Sequence, residues 1–132
     1  MKIIPWNKPL SDYDIKDIVS KTSLSNLFQG VFSRDQIVER KIPPLTNECG
    51  VINLDKKSGP GTHWTCYFKR GKIVNYYDSF GNLPTPREFI KFFEKFEIYY
   101  NWNQEQDFNT VICGQLCLCF LFKQFCLYQE SK

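Results

Sequence analysis

The segment that most limits what this chain can become is its last one. "ICGQLCLCFLF", residues 112–122, is apolar on nearly every side when wound as a helix, yet the run stops at Lys123 and Gln124, too short to cross a bilayer. A helix that is hydrophobic all round must be wrapped by the rest of its own fold. The remainder of the chain therefore has to supply further layers. With 132 residues, 42% of them hydrophobic and 17% aromatic, it has the material for one core without covalent staples.

Those layers are readable along the chain. Leu10 to Ser20 reads as an amphipathic helix, with Ser11 as N-cap, Asp14 three residues on, and Ile15, Ile18 and Val19 on one face. "SRDQIVER", residues 33–40, reads as a second short helical segment, ended by the two prolines of "KIPPL". The pattern then changes. "GVINLD" (50–55), "HWTCYFK" (63–69) and "KIVNYYD" (72–78) are rich in β-branched and aromatic residues, and "KRGK" makes a tight turn that joins the last two into a hairpin. Thr85 as N-cap, Pro86 at the first helical position and Glu88 two further on form a capping box for a helix whose buried stripe is Phe89, Ile90, Phe92, Phe93 and Phe96. "EIYYNW" (97–102) reads as a strand, and the final helix runs from near Cys113 to about Tyr128. This order predicts an α+β fold in which a buried helix packs on a mostly antiparallel sheet. No repeat or linker divides it, so the expectation is one domain over 1–132, with a helical N-terminal part over 1–44.

Charge and cysteine usage narrow the function. A net charge of +3, spread without a dense basic block, argues little for nucleic acid. The six cysteines could suggest a disulfide framework, but "MKIIPWNKPL" lacks the apolar core of a signal peptide. The reading is an intracellular chain, not secreted, with reduced thiols. Cys113, Cys117, Cys119 and Cys126 lack zinc-knuckle spacing and the one histidine is distant in sequence, so no metal and no other cofactor is expected.

Cys113 stands at the first turn of the buried helix, where unpaired N–H groups and the positive end of the dipole favour a thiolate. Gly114 would let a substrate backbone approach. His63 opens one strand of the hairpin and Asp78 closes the other, so a carboxylate can fix the tautomer of an imidazole that takes the thiol proton. Taken singly, each residue has a plainer reading. Asp78 in "YDSFGN" suits a turn, and Cys66, Cys117, Cys119 and Cys126 suit core packing. Cys49, in "NECGV", is a second Cys-Gly, but it leads into a strand and lacks the helix dipole, so it reads as structural.

Together, "GTHWTCYF", "VNYYDSFGNLPTP" and "QDFNTVICGQLC" give the chain a pattern similar to that of the adenovirus-type, or adenain-like, cysteine proteases. Relatives of that group include ubiquitin-like-protein-specific proteases and the proteases of Polinton/Maverick elements and virophages. The resemblance implies a papain-like fold with a catalytic core over 45–128. It implies Cys113 as nucleophile, His63 as base and acid, Asp78 as orienting carboxylate, and Gln106 with the Cys113 N–H as oxyanion hole. Gln104 is the rival for the glutamine role, Gly114 would line the substrate groove, Trp64 would pack against the histidine or wall that groove, with a structural wall as its plainer role, and Asn109 would shape the loop before the nucleophile.

It further implies a thiol endopeptidase of the virion or infected cell that cleaves capsid or core precursors near glycine. "SFGNLPTP" and the short chain resemble the transposon and virophage branch. The family's activating peptide or DNA finds little support in the charge pattern, and no membrane partner is expected. The rival readings are a deconjugating protease for ubiquitin-like modifiers and a catalytically silent binding domain.

Overall fold

A computed structural model of the chain describes residues 4–55, 63–81, 84–101 and 112–131. Its centre is a five-stranded sheet in the order β1 (Phe28–Ser33), β2 (Asn47–Asn53), β3 (Trp64–Arg70), β4 (Ile73–Tyr77) and β5 (Glu97–Tyr100). The expected antiparallel run is the middle of the sheet, β2 to β4. Both edge strands instead join parallel, β1 to β2 and β5 to β4. Each of these two pairings is closed by a crossover and not by a hairpin: one passes the 3₁₀ turn Ile37–Glu39, the other passes α2 (Arg87–Phe92). The β3–β4 hairpin turns at Gly71, whose φ of 61° lies in the left-handed region that the tight turn requires.

Alternation along the strands sends side chains to two faces, and each face is covered. On one face Cys49, Val51, Cys66, Phe68 and Tyr77 meet α1 (Asp12–Ser20) and α3 (Cys113–Glu130) through Ile15, Val19, Cys117, Leu118 and Leu121. On the other, Ile52, Tyr67, Val74 and Tyr76 meet Phe89 and Phe93. The last helix foreseen from its apolar run is α3, lying against β3, but it is not wrapped on every side: Cys119 and Cys126, expected to pack in the core, are exposed, while Cys117 is buried. Ser11 and Asp14 form the expected capping box of α1, with bonds of 3.1 and 3.0 Å.

Three further expectations are corrected. The part over 1–44 is not wholly helical, because β1 lies within it; "SRDQIVER" contributes the end of that strand and a 3₁₀ turn. The capping box at Thr85 and Glu88 does not form, and α2 begins only at Arg87 with Pro86 as its cap. Glu88 is drawn away by Arg34, whose Nε and Nη2 reach its Oε1 at 3.1 and 3.0 Å. Of the expected stripe, Phe89 and Phe93 are buried and Phe92 and Phe96 pack partly buried against them, but Ile90 is exposed.

Candidate active site

The helix start and one end of the hairpin converge. Past Cys66 opposite Tyr77, the β3–β4 register continued sets His63 across from Phe80, and the two rings stack with centroids 4.2 Å apart at an interplanar angle of 6°. Asp78, the first residue beyond β4, turns its carboxylate to the same imidazole: Oδ1 lies 2.7 Å from His63 Nε2 and also accepts the Phe80 N–H at 2.9 Å. With Nε2 committed to the carboxylate, the ring's Nδ1 is left for the thiol of Cys113, to which the His63 side chain is hydrogen-bonded. The Trp64 N–H donates to Cys113 Sγ at 3.4 Å. All three chemistry-bearing residues are buried.

This geometry sets the protonation states. Burial alone would push the His63 ring down, but hydrogen bonds and charges from Asp78 and Cys113 overcome it and raise the ring to about 9 from an ordinary 6.5. Burial would likewise raise the Cys113 thiol; the His63 hydrogen bond and the N–H groups of Trp64 and Gly114 bring it below its ordinary 9.0 instead. Both shifts favour a thiolate–imidazolium pair. No acidic residue in the first turn of α3 opposes the negative sulfur. Cys49 contrasts on every count: it is enclosed in β2, and burial pushes its thiol far up.

The lining differs in part from expectation. A Cβ on Gly114 would meet Leu10 Cβ and Trp64 Cδ1 at 3.2 Å, so the space that this glycine leaves is taken by the protein's own side chains and not left open to a substrate. Trp64 is held as its plainer reading anticipates: its Nε1 donates to the Leu10 carbonyl at 2.8 Å and its own carbonyl accepts from Cys117 Sγ at 3.3 Å. Gln115, which drew no attention in the sequence, is buried and donates to the carbonyls of Pro5 and Lys8 at 3.0 and 2.6 Å. The N-terminal segment is thereby strapped across the start of α3. Phe80, in the quoted "SFGN", joins the site by stacking on the His63 ring. Gln106, Gln104 and Asn109 lie outside the described residues.

Among the described residues no group of three or more His, Cys, Asp or Glu side chains is placed to hold a metal ion, and no helix is long and apolar enough to cross a membrane. By sequence, no family model and no curated protein matches the chain.

By structure, the fold is the mixed α+β fold of the papain-like and adenain-like cysteine proteases. Solved structures it is similar to include two of the ASFV pS273R protease. One matches with a TM-score of 0.55 at 15% identity, and the other, of the selenomethionine protein, with 0.51 at 17%. Each match covers 86% of this chain, and the chain spans only 56% and 57% of the length of those two proteins.

Proposed function

We propose that this chain is a thiol endopeptidase in which Cys113 is the nucleophile, His63 moves the proton and Asp78 holds the ring. The observation that carries this reading is the convergence of the three side chains: a sulfur at a helix start, an imidazole bonded to it, and a carboxylate 2.7 Å behind the imidazole. The fold shared with a protease supports it.

In this reading the Cys113 thiolate attacks the scissile carbonyl carbon, and the negative oxygen that forms is held by the Cys113 N–H and the Gln106 side chain. The His63 imidazolium then gives its proton to the leaving amine as the carbon–nitrogen bond breaks, leaving a thioester on Cys113. Neutral His63 next takes a proton from water, which attacks the thioester and releases the acid and the thiolate. Asp78 stays ionised throughout, keeping Nδ1 aimed at sulfur and stabilising the ring while it is charged.

The substrates proposed are precursor polypeptides of a virus or virus-like particle, cut near glycine. Assignment to the transposon and virophage branch rests on "SFGNLPTP" alone. Deconjugation of ubiquitin-like modifiers would use the same residues, so the deciding experiment offers both substrates. Purified protein is incubated with capsid precursors and, separately, with modifier conjugates, and Cys113 labelling by iodoacetamide is followed beside them. Precursor cleavage with labelling of Cys113 far ahead of the other five cysteines supports the proposal. Cleavage of conjugates alone moves the substrate class. Slow, equal labelling of all six without cleavage ends the enzyme reading in favour of a silent binding domain.

A further inference from the structure

Asn101 is the first residue after β5, and its side chain does what the next peptide of a longer strand would do. β5 runs beside β4 with Tyr76 opposite Tyr100 as the last pair. One step further β4 has ended, and the backbone of Asp78 has also left the ladder with β3, whose last pair is Cys66 with Tyr77. There the Asn101 carboxamide takes over. Its Oδ1 accepts the Asp78 N–H at 2.8 Å, and its Nδ2 donates to the Asp78 carbonyl at 2.7 Å. A carboxamide carries an acceptor and a donor spaced like those of a peptide group, so one side chain satisfies both backbone groups of one residue. The residue held in this way carries the carboxylate that faces His63.

We infer that Asn101 is a positioning residue of the site: it fixes the backbone of Asp78 so that the carboxylate meets His63 Nε2. The inference rests on the protease reading and deepens it. Both bonds to Asp78 are made to its backbone, so the effect on the imidazole passes through the carboxylate. Among the described residues, the titratable groups near this cluster besides Asp78 and Cys113 are Cys117 on α3, Cys66 on β3 and Tyr76 on β4. Burial pushes the Cys117 thiol and the Tyr76 hydroxyl up, so neither gains charge in the range where the Cys113 thiolate forms.

The test follows the pH dependence of Cys113 alkylation by iodoacetamide, together with kcat and KM, in wild type, Asn101→Ala, Asp78→Asn and the double variant. A loosened carboxylate stabilises the imidazolium less, and the imidazolium then stabilises the thiolate less. In Asn101→Ala the acid limb of alkylation therefore moves up by about one pH unit, and kcat falls about tenfold with KM little changed. In the Asp78→Asn background the same substitution changes kcat by less than about twofold, because the group it positions is already gone.

A lowered Tm with an unmoved limb, or an equal penalty in both backgrounds, overturns the inference. Should Asn101→Ala fail to fold, Asn101→Ser, which keeps a polar group but loses the paired amide, must shift the limb in the same direction. Wild-type protein whose Cys113 alkylates no faster than an ordinary thiol defeats the protease reading and this inference with it, a result distinct from a wild-type limb that the variants leave in place.

Discussion

The carboxylates of Glu48, in β2, and Asp78, just past the end of β4, are both buried and each is hydrogen-bonded to a basic side chain, but they are satisfied differently. Both oxygens of Glu48 are used. Arg40 spans them at 2.6 and 2.9 Å, the Tyr67 hydroxyl donates to Oε2 at 2.5 Å, and the Leu45 N–H donates to Oε1 at 2.7 Å. Arg40 is itself consumed, with further bonds to the carbonyls of Ile42 and Pro43 and its guanidinium over the Phe92 ring. Burial alone would raise the Glu48 carboxyl; the Arg40, Tyr67 and Leu45 hydrogen bonds hold it below its ordinary value. An arginine cannot release its proton, so nothing in this network can move. At Asp78 only Oδ1 is engaged, Oδ2 is buried with no hydrogen-bond partner among the described residues, and the basic partner is a histidine whose second nitrogen faces a thiol. A saturated network around a permanent cation locks the fold, whereas an unsaturated one around a titratable ring can pass a proton.

Perturbing the two sites separates them, and the effects descend in size. With Cys113 as the proposed nucleophile, Cys113→Ala should remove cleavage, a loss of at least about 10⁴-fold. Calorimetry should place its Tm within a few degrees of wild type, and residual turnover would move the nucleophile elsewhere. Glu48→Ala strands Arg40 and Tyr67 in the interior and costs about 3–5 kcal/mol in urea denaturation, with kcat per folded molecule unchanged. Asp78→Asn gives the converse, a fall in kcat of about 10³-fold with the urea midpoint nearly in place. If both variants lost stability and rate together, the distinction between the two carboxylates would disappear. Gln106→Ala lowers kcat about 10²-fold, and an unaltered rate would pass the oxyanion role to Gln104.

The pH dependence divides the sites as well. His63 is raised in the folded state to about 9, so its stabilising contribution is full below its ordinary 6.5 and is lost as pH rises through about 9. Cys113 is lowered, so its contribution is present above its ordinary 9.0 and is lost as pH falls through its depressed value. Cleavage should therefore follow a bell, its alkaline limb near pH 9 and its acid limb below the range of a free thiol. An activity still rising beyond pH 10 would mean that the imidazolium does not take part.

What the sequence disclosed and what it withheld have separate physical origins. Cys113, His63 and Asp78 were legible because they stand at the ends of segments whose types were readable: a helix start with glycine as its second residue, and the first and last residues of a hairpin. β1 was not. "FQGVFS" has Gly30 in its middle at φ 143° and a register shift between Phe28 and Val31, and every residue is half-buried, so no alternation marks it. The false capping box at Thr85 arose because local spacing cannot reveal that Glu88 is claimed by Arg34, far away in sequence. Glu48 and Arg40 were invisible as core residues, since isolated charges read as surface. Asn101 looked like part of a strand in "EIYYNW"; its role depends on where β4 ends, which only the folded register discloses.

The smallest effect tests the idea of saturation most directly. Tyr67→Phe removes one hydroxyl from a ring packed between Phe89 and Phe93, at centroid distances of 5.5 and 5.0 Å, and leaves the ring and its packing in place. Glu48 Oε2 loses the Tyr67 donor but keeps Arg40 Nη1 at 2.6 Å, and Oε1 keeps both of its donors. No charge is left unpaired, so the cost is that of the hydroxyl's bond to the carboxylate and its long 3.5 Å bond from Arg40 Nη1, together about 1.5–2 kcal/mol, and not that of a broken ion pair. Urea denaturation should give this loss while kcat and both limbs of the pH profile stay where they were. A loss approaching that of Glu48→Ala would mean that Tyr67, rather than Arg40, is what makes the buried carboxylate tolerable. A displaced pH limb would mean that the two networks communicate through β3, which carries Tyr67 and follows directly on His63.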